Sequence, residues 1–292
     1  MTRRTLWNLW RTVRLTVALY GQYDTGSRAA AIAFYALLSI FPLLLFLIGV
    51  LAQWLTTAQA EALILDMLAR VAPVVPDVLQ ANLARVLAAR GPINLVAGVT
   101  LAWSASSLFA AIIHALDRVW NQRGGRAFWE HRLLSVALVV IVTLLFVFSL
   151  VLATALALIP RLLVFLLPIR PEVVERGWQF APTLITFGLD VSLYAMLYRF
   201  LPSRSPPWPA VWAGAVVAAL GEHLVRIGFG LYLTYFARYG LVYGTLATLV
   251  AFLFWVYLNG LVLLVGAEFG VAWERVWLAP QADQRAEQAR RF

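Results

Sequence analysis

Three ionisable side chains lie close together inside a long apolar stretch of the sequence. Glu222, His223 and Arg226 interrupt residues 208–236, which read WPAVWAGAVVAALGEHLVRIGFGLYLTYF. On insertion scales a charged residue at the centre of a membrane helix costs about 2.5–3.5 kcal/mol, so such residues normally face protein or a water-filled cavity. Glu222 and Arg226 are four residues apart with the acid first, which is the better orientation for an ion pair on one helix face.

This pattern has two interpretations. The pair is either a self-neutralised structural pair inside a helix bundle or part of a substrate site, and the second is the default hypothesis for ionisable groups at membrane depth. We expect Asp190 to approach Arg226, because both lie near mid-depth on consecutive antiparallel spans. An arginine is the side chain best matched to a phosphate. The polar residues expected to bind substrate, with no metal, are Arg226, Glu222, His223, Asp190, Asn259, Glu268 and His114.

The composition indicates an integral membrane protein. Hydrophobic residues make up 62% of the 292 residues and charged residues only 13%, which excludes a soluble two-domain enzyme. The net charge is +9, and all 23 basic residues are arginine. The chain has no cysteine, so it can form neither disulfides nor thiolate metal sites.

Hydropathy along the chain predicts an all-α membrane protein with six transmembrane helices. Residues 1–28 form an N-terminal amphipathic helix for the membrane interface, with the apolar stripe Leu6, Leu9, Trp10, Val13, Val17 and Tyr20. Prolines interrupt the outer connectors, 55–91 and 160–179, and this pattern predicts short interfacial helices there. A polar tail covers 280–292. Within the transmembrane domain, 29–279, the predicted spans are about 29–54, 92–115, 133–159, 180–200, 209–236 and 242–269.

The distribution of arginine predicts the orientation of these spans. The N-terminal arm, the 117–132 and 199–208 loops and the C-terminal tail carry 15 arginines, whereas the opposite side carries 7. Cytoplasmic loops are enriched in basic residues. Both termini are therefore predicted to be cytoplasmic.

Three stretches resemble the hallmark regions of the YihY/BrkB family of bacterial inner-membrane proteins. They are FYALLSIFPLLLFLIGV (34–50), WSASSLFAAIIHALDRVWN (103–121) and YGTLATLVAFLFWVYLNGLVLLVGAEF (243–269). The more discriminating residues are Phe41-Pro42, Trp103-Ser104-Ala105, Ala115-Leu116 with Trp120-Asn121, and Gly266-Ala267-Glu268. The chain departs from the family pattern at Asp117, where relatives carry Asn.

The resemblance implies a protein of envelope integrity and serum resistance in the bacterial inner membrane, with transport of an anionic lipid or lipid-linked envelope precursor as the expected activity. The main alternative is a non-transporting membrane scaffold. A remote alternative is a ribonuclease, a label once given to family members. A nuclease would need clustered metal ligands, yet the chain has only three histidines and no HxH or DxD pair. We expect no enzymatic activity, no cofactor and no nucleic-acid partner, with anionic membrane lipids as the partners.

The topology prediction can be tested by cysteine labelling, because the chain has no cysteine of its own. Single cysteines at Gln80 and Gln122 should react from opposite sides of the membrane with an impermeant thiol reagent. Labelling of both positions from the same side would contradict the six-span arrangement.

Overall fold

The computed structural model describes residues 3–51, 95–120, 129–130, 133–138 and 181–279. Within these residues the chain is helical and contains no strand, which confirms the all-α prediction for this part. The helices are α1 Arg3–Gln22, α2 Thr25–Leu51, α3 Leu95–Val119, α4 Ala181–Phe200 and α5 Trp208–Trp273. A π-helical turn, Glu274–Leu278, follows α5 directly.

Two segments of the described residues are long and apolar enough to cross a membrane, by length and composition: Trp208–Thr234 and Leu249–Leu278. They overlap the fifth and sixth predicted spans. Helices α2, α3 and α4 overlap the first, second and fourth, while the count of six spans stays a prediction. The remaining predictions lie outside the described residues: the third span beyond residue 138, the connectors 55–91 and 160–179, and the tail 280–292.

Helix α5 folds back on itself. A methyl group added to Gly214 would lie 2.5 Å from the carbonyl oxygen of Gly266, although a straight helix would separate these residues by about 78 Å at ~1.5 Å per residue. Farther along, the rings of Phe229 and Trp255 lie 4.7 Å apart. The chain therefore reverses direction within α5. We call Trp208–Thr234 the first limb and Leu249–Leu278 the second limb.

Small residues let the two limbs approach closely. Ala210, Gly214 and Ala218 recur every four residues on the first limb and are buried against Gly266 and Gly270 of the second. Membrane helices have no hydrophobic force to hold them together in lipid, so close van der Waals packing through small residues takes its place. The limbs thus form a tight antiparallel pair, against which α2 and α4 pack.

A sharp turn separates α1 from α2. Asp24 has a φ of 52°, in the left-handed region, and its carboxylate accepts a hydrogen bond from Ser27 at 2.9 Å. Asx side chains tolerate this conformation better than most residues because they can bond to nearby groups. The turn lets α1 lie across the end of the bundle while α2 enters it, so α2 begins three residues before the predicted boundary of 28.

Helix α1 packs on the second limb through a narrow polar face. Thr12 and Thr16 are buried, and the indole nitrogen of Trp277 donates a hydrogen bond to the Thr12 hydroxyl at 3.2 Å. The predicted apolar stripe faces away from the protein, except for the half-buried Leu9; the exposed members are Leu6, Trp10, Val13, Val17 and Tyr20, joined by Trp7. This orientation suits an interfacial helix, and its contact with lipid stays a prediction.

The contact between the limbs can be tested with alanine. Gly214→Ala should lower stability by about 1–3 kcal/mol, because overpacking displaces backbone that cannot move cheaply. Gly228→Ala is the matched control, since an added methyl group would meet nothing within 4 Å there. The control should be neutral or stabilising by up to about 1 kcal/mol, from helix propensity. Thermal unfolding in detergent followed by circular dichroism would measure both, and equal midpoints would contradict the packing described.

Candidate functional site

Glu222 joins two helices through its two carboxylate oxygens. Its Oε1 accepts a hydrogen bond from Arg226 Nη2 at 2.9 Å, one turn along the first limb. Its Oε2 accepts a hydrogen bond from the Tyr194 hydroxyl of α4 at 2.7 Å. The Glu222–Arg226 pair predicted from the four-residue spacing is therefore present. The tyrosine adds a neutral donor from another helix, so the carboxylate is satisfied from both sides.

His223 and Asp190 form a second, looser pair beside the first. His223 Nδ1 lies 3.8 Å from Asp190 Oδ2, beyond hydrogen-bond distance, and neither buried atom has a hydrogen-bond partner among the residues that the structure describes. The ring of Phe187 stands edge-on to the imidazole at 5.8 Å and covers one side of it. Buried polar atoms without partners are uncommon and carry a desolvation cost. Neither atom is accessible to water, so a new polar partner can reach them only if the surrounding side chains move.

Asp190 and Arg226, which we expected to approach each other, lie close enough to interact electrostatically but form no ion pair with each other. Arg226 pairs with Glu222, which is on its own helix and needs no precise fit between helices, whereas Asp190 faces His223. Glu222, His223 and Arg226 all interact electrostatically with Asp190. The sequence therefore predicted that these side chains lie near one another, but not that Asp190 faces His223. We call Asp190, Tyr194, Glu222, His223 and Arg226 the mid-depth cluster.

Arg226 lies at the edge of the described part of the protein. Its side chain is 47% exposed, against 18% for Glu222. One turn farther along the first limb is Gly230, where a methyl group would meet nothing within 4 Å. The exposed side chains around this gap are apolar, among them Leu224, Ile227 and Leu231. The guanidinium is thus anchored on one side and open on the other.

Polar contacts continue from the mid-depth cluster toward the far end of α4. The rings of Tyr194 and Tyr198 lie 6.1 Å apart, and the Tyr198 hydroxyl donates to the Leu263 carbonyl of the second limb at 2.7 Å. Glu268, five residues farther along the second limb, is fully buried and accepts a short hydrogen bond from the Thr25 hydroxyl of α2. Within the described ranges, no group donates a hydrogen bond to its Oε2. Polar groups therefore occur at successive depths along α4 and the second limb.

Sequence analysis did not single out Tyr194, Tyr198 or Thr25. The signal for the tyrosines was present, because Asp190, Tyr194 and Tyr198 follow one another every four residues and so share one face of α4. No sequence signal linked Thr25 to Glu268, since the two residues are 243 positions apart.

Three predicted site residues, Asn259, His114 and Glu268, are not brought into the mid-depth cluster. Asn259 donates from its amide to the Trp255 carbonyl of its own helix at 2.9 Å. His114 is exposed near the end of α3, and the hydrogen bonds and ion pairs of the cluster do not include it. Glu268 also lies apart from Arg226, in its own contact with Thr25. In the part of the chain that the structure describes, no group of three or more His, Asp or Glu side chains could hold a metal ion.

A double-mutant cycle tests the contact between α4 and the first limb. Tyr194→Phe and Glu222→Gln should each destabilise the protein, and their effects should be coupled by about 0.5–3 kcal/mol because the side chains share a hydrogen bond. Ser192→Ala is the control on α4, since that hydroxyl is exposed and bonds to the Gly188 carbonyl of its own helix. Ser192→Ala and Glu222→Gln should be additive in thermal unfolding. Additivity in the Tyr194 cycle as well would contradict the contact.

Comparison with known proteins places the chain in a family. The family model described as Virulence factor BrkB matches residues 17–291. A UPF0761 membrane protein of Chromobacterium violaceum is 39% identical over 127 residues, which are 43% of this chain and 28% of that protein. A UPF0761 membrane protein of Vibrio vulnificus is 26% identical over 262 residues, covering 89% of this chain and 81% of the relative.

A relative in Bacillus subtilis carries the name putative ribonuclease-like protein YfkH; it is 26% identical over 257 residues, 85% of this chain and 90% of that protein. The chain thus spans little more than a quarter of the Chromobacterium protein and most of the other two. No solved structure matches the chain significantly. The family match covers nearly the whole chain, the relatives of Chromobacterium and Vibrio are named membrane proteins, and two described segments can span a membrane. These findings confirm the resemblance seen in the sequence: the chain is a membrane protein of the virulence factor BrkB family.

Proposed function

We propose that this protein carries an anionic lipid or lipid-linked envelope precursor across the bacterial inner membrane, with both termini in the cytoplasm. Arg226 binds the headgroup, and the other residues of the mid-depth cluster support it. The observation that carries the proposal is the state of Arg226: its guanidinium is held by Glu222 on one side and is open on the other, next to a gap at Gly230.

Arg226 can exchange its present partner, the Glu222 carboxylate, for a phosphate group. A phosphate group accepts two parallel hydrogen bonds from an arginine fork, which a single bond to a carboxylate oxygen does not match. When a headgroup draws Arg226 away, Tyr194 still donates to Glu222. The carboxylate therefore does not become a wholly unsatisfied buried charge, a loss that would otherwise oppose binding.

The surroundings of Arg226 suit the rest of a lipid. Exposed apolar side chains flank it on the first limb, and Gly228 and Gly230 leave the helix surface open between them. An acyl chain can lie along such a surface while the headgroup stays at the guanidinium.

A membrane scaffold without transport is the second candidate. It is favoured by the tight contact of the two limbs, where Gly214 and Gly266 leave no free space between their backbones. A scaffold requires a rigid bundle, whereas a carrier must let a headgroup pass helices that are closely packed. The two functions therefore differ in whether lipid moves, and flux measurements separate them.

Headgroup binding is tested by replacing the arginine fork. In vesicles containing the reconstituted protein, Arg226→Lys should slow the movement of a fluorescent phosphatidylglycerol between leaflets by about tenfold, the loss expected for one charge-assisted hydrogen bond. Arg226→Ala should abolish the movement. Arg118→Lys is the matched control, because Arg118 is exposed at the end of α3 and away from the cluster.

Three other outcomes would contradict the proposal. Full activity of Arg226→Ala would rule out this headgroup site, and selective flux of a neutral solute or a cation would rule out the substrate class. Folded wild-type protein that moves no lipid would favour the scaffold.

A further inference from the structure

A small cavity lies at the end of the bundle where α3 ends and α5 both begins and ends. Its volume is about 210 Å³. Arg204 and Arg275 bring positive charge to the cavity, and Glu274 brings one negative charge. Its apolar walls include Trp120, Pro206 and Val271. It lies away from the mid-depth cluster and shares no residue with it.

The segment between α4 and α5 holds Arg204 in position. Asp117 at the end of α3 accepts two hydrogen bonds from Ser203, from the backbone nitrogen at 2.6 Å and from the hydroxyl at 3.0 Å. On the other side, Arg199 donates a short hydrogen bond to the Pro206 carbonyl. Arg199 also lies over the ring of Trp208 at 5.1 Å. The backbone is therefore anchored on both sides of Arg204, and this gives Asp117 a positioning role.

Neither arginine of the cavity forms an ion pair with an acid among the residues that the structure describes. Arg275 makes one long hydrogen bond of 3.4 Å, to the Tyr23 hydroxyl. For Arg204 the described residues supply neither a hydrogen bond nor an ion pair, and its side chain is exposed. This differs from Arg226, whose charge is balanced by Glu222. The cavity thus has an excess positive charge that a ligand can balance.

We propose that this cavity binds a phosphate-class anion, either a phosphate monoester or the phosphodiester of a lipid headgroup. Arginine is suited to phosphate because its planar fork of donors matches the oxygen geometry. The volume admits a phosphate group and is below the ~300 Å³ at which pockets for drug-sized ligands begin. Glu274 opposes an anion and so weakens binding, which makes the site one of moderate affinity. The proposal does not rest on headgroup binding at Arg226.

The source of the phosphate is resolved by two measurements on the full chain in phosphatidylcholine nanodiscs. Isothermal titration with inorganic phosphate detects a site for a free anion. Native mass spectrometry of nanodiscs with and without phosphatidylglycerol detects a site for a lipid headgroup. Binding in either arm identifies the source of the phosphate, and it supports the cavity site when the Arg204/Arg275 double variant described below weakens it; binding in neither arm overturns the proposal.

Three charge changes then test the location of the site. Arg204→Gln combined with Arg275→Gln should weaken binding by at least about tenfold, since two charge-assisted hydrogen bonds are lost. Glu274→Gln should strengthen binding several-fold, because it removes the opposing charge; a purely structural role of this residue does not predict that gain. Thermal unfolding checks that each variant is folded.

A matched control completes the test. Arg118→Gln removes an exposed arginine near the end of α3 that does not line the cavity. It should leave phosphate binding unchanged. An equal loss in Arg118→Gln would indicate general attraction to a basic surface and overturn the proposal, as would unchanged binding in the Arg204/Arg275 double variant or weaker binding in Glu274→Gln.

Discussion

The two limbs of α5 touch at Gly214 and Gly266, where a methyl group on either residue would collide with the other limb. In a membrane such close packing replaces the hydrophobic force that joins helices in water. The contact also determines the register of the limbs. Tyr198 of α4 depends on that register, because its hydroxyl donates a hydrogen bond to the nearby Leu263 carbonyl. A slip of one turn, about 5.4 Å, would separate Glu222 from Tyr194. The mid-depth cluster thus depends on residues that have no polar side chain.

The ionisable groups in this bundle differ in how many hydrogen bonds they make. Glu222 is bonded from two helices, Glu268 is bonded through one oxygen only, and Asp190 and His223 face each other across 3.8 Å. A fully satisfied group resists change, whereas a partly satisfied one gains from a new partner. The mid-depth cluster therefore combines a fully bonded group, the Glu222 carboxylate, with buried atoms of Asp190 and His223 that have no hydrogen-bond partner among the described residues.

Arg226 and Arg204 also differ in how they are held in place. Arg226 is held through its side chain by an acid, so a ligand must compete with Glu222 for it. Arg204 is held through its backbone, by the bonds that Asp117 and Arg199 make to its neighbours, and its guanidinium keeps its full charge for a ligand.

Local geometry was enough to predict part of the structure. The apolar composition predicted helices, and the four-residue spacing of Glu222 and Arg226 predicted their ion pair, because both depend only on the rise and turn of one helix. The stripe on α1 was predicted from the same periodicity. The tertiary structure alone decided that Asp190 meets His223 instead of Arg226, that Tyr194 reaches Glu222, and that Thr25 bonds to Glu268 across 243 residues. These contacts depend on how α2 and α4 are rotated about their axes and on the register of the α5 limbs. Both are determined by the packing of small residues between helices, which a linear pattern of hydropathy does not encode.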